Sequence, residues 1–595
     1  MRFRALLPVA LVAALVGSKL SAQLRPGRPL APEPNLPRLL VANPHSFLPR
    51  DSAVAVRIGA GMRERIERVA ARWFRTIPRA RMNEALVEFG FPADAVMPAP
   101  MALQLGRSLQ ARTLVLSSLL KEADGRYTVE ARLAGVNDDA GHLVRLSRTP
   151  GETPEEFGGR LGGALAAAFR ALPDARLCES LRSTAPEKAL VAGLNALRSD
   201  PSSGLAHYCI AKVAEVRKAP RDSVIAQLRL AVQGDALSLP GWSALAVEYQ
   251  EQSDTAATVE TFKQMLRVAP TNESLRAETF RLLLRYGRPE AAEEVADEGL
   301  QLDSANADLW ELKSSACLFQ NRPEKNRCAV EALELVYALD SVRVDSSFFT
   351  RLTFAASRPV RVDTVRIPAG PGAAQGARDS LVPVVDGERF LKWSRIAVSR
   401  YPANAILFGQ LVEAFSVAGP MDSAIVAVQR LLGLDSSDVR PVVRVAKALR
   451  DAKRGRDVLE LTPYVERLGS PVDRENMATI LSTGGFGFVQ PPPDYALAAE
   501  MGRTALRLAP PEGPSARLAN LVRGLAVFQQ MVSLDDQAVK SKSCPIARQM
   551  RAFLDEAGPA LEAGRTLNER LVARYLDGVR GFGPHITSLV RAYCR

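Results

Sequence analysis

Histidine is scarce and scattered in this chain: His45, His142, His207 and His585 are the only four among 595 residues. No Cys-x-x-Cys stands beside them, so the donor spacing of a zinc site is missing. Also absent are Gly-x-Ser-x-Gly, His-Glu-x-x-His and a phosphate-binding loop, the short motifs that mark nucleophilic, metal-assisted and phosphoryl-transfer chemistry. Asp and Glu are plentiful, but their spacing singles out no acid/base pair. Gly59-Ala60-Gly61 opens like a dinucleotide fingerprint and lacks its third Gly, while Val56, Met62, Ile66 and Val69 around it fit an amphipathic helix. The sequence therefore leads us to expect no catalytic residue, no cofactor and no metal.

Charge and hydropathy exclude further classes. The net charge of +12 comes mainly from Arg, yet no run of consecutive basic residues and no reader motif occurs, so no nucleic-acid partner is expected. The apolar stretch Ala5–Gly17 is too short to span a bilayer comfortably and contains Pro8. Preceded by Met1-Arg2-Phe3-Arg4 and followed by Ser18–Ala22, it has the layout of a secretory signal cleaved after Ala22. An uncleaved anchor is the alternative. With the signal at 1–22 removed, no transmembrane span is expected, and Pro26, Pro29, Pro32, Pro34 and Pro37 form a stiff lead over 23–37.

What is present is a phase. Trp242 and Trp310 lie 68 positions apart, two steps of about 34. In a frame set by Trp242, Leu245, Ala246 and Tyr249 fall on a first helix, Phe262 and Met265 on a second, and Pro270 just beyond. The next step places Leu283, Gly287, Ala292, Ala296 and Gly299, and the following one reaches Trp310. Tyr208, Ala211, Leu228 and Ala231 fit backwards, and Phe408, Leu411, Phe415, Ala424, Val428 and Leu431 fit further on. From Cys178 to about Val532 the chain resembles the tetratricopeptide repeat family, which implies helix–turn–helix units stacked into a solenoid that binds protein or peptide partners. An ordinary all-α domain is the competing reading.

In that repeat frame the six cysteines fall as three local pairs. Cys178 and Cys209 sit on first helices of successive repeats, Cys317 and Cys328 on the two helices of one repeat, and Cys544 with Cys594 ties the end of the chain back. Such bonds persist in an oxidising compartment; buried thiols are the alternative.

Residues 38–172 read differently. Arg38–Asn43 and Trp73–Ile77 are short strands and Ala53–Ala71 and Met101–Gln110 helices. Three further strands, 113–120, 127–136 and 142–147, are joined by Asp124-Gly125 and by Asn137–Gly141, which predicts an antiparallel meander. Thr153-Pro154-Glu155-Glu156 has the form of a capping box. Leu105-Gly106-Arg107-Ser108-Leu109-Gln110-Ala111-Arg112 and Arg126-Tyr127-Thr128-Val129-Glu130-Ala131-Arg132-Leu133 resemble the TolB amino-terminal-like domain of bacterial envelope proteins, which implies assembly or interaction at the envelope. Gln110 stands where that family has Gly, and Pro44-His45-Ser46-Phe47 represents its Pro-Phe only loosely.

The expected architecture is an α/β amino-terminal domain, a mixed sheet with an antiparallel meander, followed by an all-α helical-repeat solenoid in two blocks. These are 173–357 and 386–535, separated by a Pro/Gly linker at 358–385 and closed by a helical cap at 536–595. The alternating Val360–Arg366 and Pro368–Gly372 predict a long, mobile or partly extended linker; the Val/Arg run could also add as a strand to a partner, with an ordered arm lying on its own helices as the plainer alternative. Gly484-Gly485-Phe486-Gly487-Phe488 reads as a flexible loop. The resemblance to the repeat family implies partner contacts on first helices, with Gln250, Arg281 and Arg285 as candidates among Ser243, Val247, Ala277, Glu311 and Ser315; a solvated face is the plainer alternative. The functional expectation is a non-enzymatic exported scaffold. The alternatives are a polysaccharide- or peptidoglycan-associated enzyme subunit and a small-ligand sensor acting through the amino-terminal domain.

Overall fold

The computed structural model describes residues 36–367 and 378–594. The expected signal, most of the Pro-rich lead and Pro368–Gly372 lie outside these residues. The chain divides into two compact units, Met1–Tyr286 and Gly287–Arg595.

The first unit begins β1 (Arg38–Val41), β2 (His45–Ser46), α1 (Ser52–Ala70), β3 (Arg75–Thr76), α2 (Arg79–Glu88), α3 (Ala99–Ser108), β4 (Thr113–Lys121), β5 (Tyr127–Gly135), β6 (His142–Ser147) and α4 (Pro154–Ala164). The sheet order is β3-β1-β4-β5-β6, with β2 beside β4. β1 runs parallel to β3 and β4, while β4, β5 and β6 form the expected antiparallel meander. Side chains alternate across a strand, and β1 shows it plainly. Leu39 and Val41 enter a core with α1 and α4, whereas Leu40 and Ala42 face α2 and α3.

α1 and α4 cross closely because small residues line the crossing. A Cβ on Gly61 would come within 2.1 Å of the Glu155 carbonyl oxygen, and one on Gly158 within 2.1 Å of that of Ile58. The glycines that imitate a nucleotide motif are thus packing residues. Thr153 caps α4 with the full capping box, Glu156 N–H reaching its hydroxyl and the Glu156 carboxylate receiving the Thr153 N–H.

Helix pairs follow: α5 (Ala166–Leu181) with α6 (Pro186–Ser199), α7 (Gly204–Val216) with α8 (Arg221–Gly234), α9 (Leu239–Glu251) with α10 (Thr255–Val268), then α11 (Glu273–Arg285). The boundary expected at 172/173 falls inside α5. The reason is a continuous core: residues of β1, α1, α4, α5, α7, α8 and α9 share one buried cluster, so the sheet and the first pairs are not separately packed.

The second unit opens with α12 (Pro289–Leu302), then α13 (Ala307–Gln320) with α14 (Pro323–Leu339) and α15 (Ser346–Ala356) with α16 (Gly387–Arg400). Next come α17 (Ala405–Ala418) with α18 (Met421–Leu434), α19 (Arg440–Asp451) with α20 (Gly455–Leu468), and α21 (Pro471–Val489) with α22 (Tyr495–Leu508). α23 (Pro514–Ser541), α24 (Cys544–Ala563) and α25 (Glu569–Tyr593) complete it. First helices stack on first helices from α15 through α23, which is the solenoid arrangement. The boundary expected at 535/536 falls inside α23, which stays buried on one face from Ser515 to Ala538.

Caps set the period. Ser203, Ser238, Asn272 and Asn306 each accept a backbone N–H at the start of α7, α9, α11 and α13. Four residues further on, a side-chain N–H returns to the carbonyl of the residue six positions earlier. His207 Nε2 reaches Pro201 (2.9 Å), Trp242 Nε1 Ala236 (2.9 Å), an Arg276 Nη Pro270 (2.6 Å) and Trp310 Nε1 Ser304 (3.0 Å). The second helices α8, α10, α12 and α14 take their N-caps at Pro220, Asp254, Arg288 and Arg322, a constant 34 residues apart. The helical region is tetratricopeptide-like.

Two expectations need correction. The 358–385 segment is not simply an extended linker: β7 (Pro359–Ile367) and β8 (Arg378–Val385) pair antiparallel as a two-stranded ribbon. It is inserted between α15 and α16, and one core continues from Cys317 to Ala519 around it. The Gly484–Phe488 stretch is not a loop but part of α21. A Cβ on Gly484 would meet Met501 at 2.8 Å and one on Gly485 would meet Val522 at 3.0 Å, so tight packing against neighbouring helices holds these glycines in helical form. Among the described residues no helix is long and apolar enough to cross a membrane.

Candidate interaction surface

In the first unit the turn between β5 and β6 is clamped between helix ends. Asp235, the C-cap of α8, is fully buried. Its carboxylate receives Arg132 Nε at 2.9 and 3.0 Å, an Arg132 Nη at 2.7 Å and the Gly141 N–H at 2.7 Å. Ser238, the next residue to act as an N-cap, donates its hydroxyl to the Asp139 carbonyl at 2.6 Å. Only Gly fits at 141, where a Cβ would lie 2.4 Å from the Leu133 carbonyl oxygen. His142 Nδ1 lies 2.9 Å from Asp200 Oδ2 but is poorly aligned for a hydrogen bond. Burial pushes the Asp200 carboxyl up; His142 and Ser202 outweigh it and hold the group below its ordinary value.

Beside this joint the first helices carry charged groups that sequence periodicity did not single out. Glu179 on α5 accepts Arg182 Nη1 at 2.7 Å, and its other oxygen is buried without a partner. Burial, reinforced by Asp139 and Asp138, pushes its carboxyl up to about 7 against the pull of Arg182 and Lys212. Burial, then Asp139, also raises the Tyr208 phenol. Lys212 Nζ bonds both Glu215 oxygens at 2.8 Å, and Glu248 on α9, 3.1 Å from Arg221, is raised by burial and by Glu215. The arrangement combines hydrogen-bond donors with one carboxyl poised between protonation states at neutral pH. No sequence motif marks it, because Asp139 comes from the β5–β6 turn and the others from α5, α7, α8 and α9.

The three candidate contact residues are exposed. Gln250 lies near the end of α9; Arg281 and Arg285 lie one turn apart on α11. Arg281 is turned onto its own helix, 3.3 Å from Glu278 and 3.2 Å from the Ala277 carbonyl. Among the described residues no hydrogen bond or ion pair joins Gln250 to either Arg. Glu311 on α13 pairs with Arg351 at 3.2 Å, and the Ser315 hydroxyl donates to the Glu311 carbonyl.

All six cysteines are bonded, Cys178 to Cys209, Cys317 to Cys328 and Cys544 to Cys594. The first joins α5 to α7, the second α13 to α14, and the third the start of α24 to the end of α25. Glu293 brings a carboxylate oxygen within 4.8 Å of both sulfurs of the second bond. That carboxylate is occupied by Lys325 Nζ at 2.6 and 2.8 Å and by Gln320 at 2.6 Å, so an ammonium already fills a cation's place.

No family model and no curated protein matches the chain. Among solved structures it is similar to MamA at 14% identity, covering 34% of this chain and 94% of that one with a TM-score of 0.25. It is similar to Naa15/Naa10 bound to HypK-THB at 13% identity over 68% and 64% of the two chains, TM-score 0.36. It is also similar to the C-terminal part of a TPR repeat-containing protein from Cytophaga hutchinsonii, at 11% identity over 50% and 98%, TM-score 0.31. The helical assignment stands on the caps and helix pairs described above.

Proposed function

We propose that this chain is a non-enzymatic scaffold, exported to the envelope, that holds protein partners on the first helices of its repeats. The observation that carries the reading is the succession of 34-residue helix pairs, whose first helices bury one stripe and present another to solvent, with Gln250, Arg281 and Arg285 on the presented side. Repeats of this build stack into extended surfaces and carry no chemistry of their own. Arg281 and Arg285 suit an acidic segment through charge-assisted hydrogen bonds.

Three disulfides support an oxidising compartment, in keeping with the signal-like amino terminus. The mixed sheet, with its Leu105–Arg112 helix end and Arg126–Leu133 strand, supports kinship with the TolB amino-terminal-like domain and hence an envelope role.

The test is pull-down from periplasmic extract with the full chain, wild type against Arg281→Glu/Arg285→Glu, together with crosslinking in the native envelope. A partner captured by wild type and reduced at least about fivefold by the double variant is expected. Capture of no protein by either method would remove the basis of the reading.

A further inference from the structure

Among the described residues, the ribbon inserted between α15 and α16 is anchored at its base. Asn326 Nδ2 donates to the Pro359 carbonyl at 2.9 Å, and Val385 packs on the helical core. Beyond Val360 no described side chain of β7 is buried, and on β8 Leu381, Val382 and Pro383 are exposed. Val362, Val365 and Leu381 are 47, 46 and 71% exposed. Two strands alone are marginal in water, and an exposed, β-branched edge is a template for another strand. The two edges are not equivalent. β8 carries Pro383, which lacks an N–H and interrupts any ladder, whereas β7 is free of proline after Pro359.

The sequence of β7 is complementary to itself in one register. Two antiparallel copies related by a twofold axis normal to the sheet must oppose residues of the same face, so the axis passes through a residue. Centred on Val362, the axis sets Val362 against Val362 and Arg361 against Asp363 of the second copy, twice. Centred on Asp363 it would oppose like charges; centred on Thr364 it would set Asp363 against Val365 and add no charge pair to the one that Arg361 and Asp363 make within the strand at 3.2 Å. Opposite charges directly across a ladder stabilise it and like charges oppose it.

We propose that β7 is a self-association edge, at which a second copy of this chain pairs antiparallel about Val362 with reciprocal Arg361–Asp363 contacts. This goes beyond the scaffold reading, since it fixes an oligomeric contact made by the ribbon and not by the first helices.

The full-length chain tests it directly, because its described cysteines are all bonded and an added thiol is therefore distinctive. Val362→Cys should give a disulfide-linked dimer under mild oxidation, since directly opposed residues of an antiparallel pair lie about 4.5–5.5 Å apart between Cα atoms, within the span of a disulfide. Val365→Cys, similarly exposed but out of register, should not. In sedimentation equilibrium, Asp363→Arg should weaken the dimer by roughly tenfold, and Arg361→Asp/Asp363→Arg should restore it to within about threefold. A wild-type chain that stays monomeric at about 100 μM, well above the micromolar affinities expected of even modest interfaces, overturns the proposal. Equal crosslinking at 362 and 365, or a double swap that folds by circular dichroism yet fails to recover, does so too. The neutral Val362→Cys arm stands even where a charge variant fails to fold.

Discussion

Trp242 donates its indole N–H to the carbonyl of Ala236, six residues earlier, and so ties the first helix of its repeat to the loop that enters it. Trp310 makes the same bond to Ser304. Trp242→Phe keeps the ring and removes the donor. We expect a loss of about 1 kcal/mol in stability, the ordinary net value of one such bond, measured by urea unfolding. The same change at 310 should cost a similar amount, and no loss at either site would mean that the bond is idle.

Asp235 holds sheet and repeats together. Asp235→Ala leaves the partly buried Arg132 guanidinium and the Gly141 N–H without their acceptor, and removing one partner of a buried pair costs about 3–5 kcal/mol. Limited proteolysis should then cut within 137–141, where the wild type resists.

Glu179 predicts a pH dependence with a definite sign. Its carboxyl is raised from its ordinary value to about 7, so the folded chain holds the proton more tightly than the unfolded one. Its contribution to stability is complete below pH about 4.5 and is lost as pH rises through about 7, a change on the order of 3 kcal/mol. Thermal melts of Glu179→Gln should lack this component, and their difference from wild type should grow between pH 5 and 7.5. Parallel melting curves would contradict the assignment.

Gln110 occupies a left-handed backbone, φ 55°, at the end of α3, with the Ala111 N–H returning to the Gly106 carbonyl. Gly adopts that conformation without the Cβ penalty. Gln110→Gly is therefore expected to stabilise the protein by about 0.5–1 kcal/mol, read as a raised denaturation midpoint.

The departure at Gln110 was visible in the sequence, but its backbone angle was not. Legibility divides in this way throughout. Signals confined to a few neighbours read correctly: the Thr153 capping box, the Asp124-Gly125 turn with Gly125 at φ 83°, and the stripe of Leu245 and Tyr249. Signals that depend on what packs opposite did not. Gly484 and Gly485 look like a loop until Met501 and Val522 are placed beside them, and Val360–Arg366 looks like a linker until β8 is found alongside. The donors at 207, 242, 276 and 310 share one bond but not one residue type, so periodicity exposed only the two tryptophans. Glu179 is unusual because folding buries it and brings Asp138 and Asp139 of the β5–β6 turn and Lys212 of α7 beside it.

The shared core running from β1 through α9 has a further meaning. An array of repeats ordinarily gains stability unit by unit, and its terminal units must be shielded by special caps. Here the mixed sheet occupies that terminal position, and Asp235 and Asp200 face its turn from the ends of α8 and α6. Sheet and early helices must then order together, as one cooperative block rather than as links of a chain.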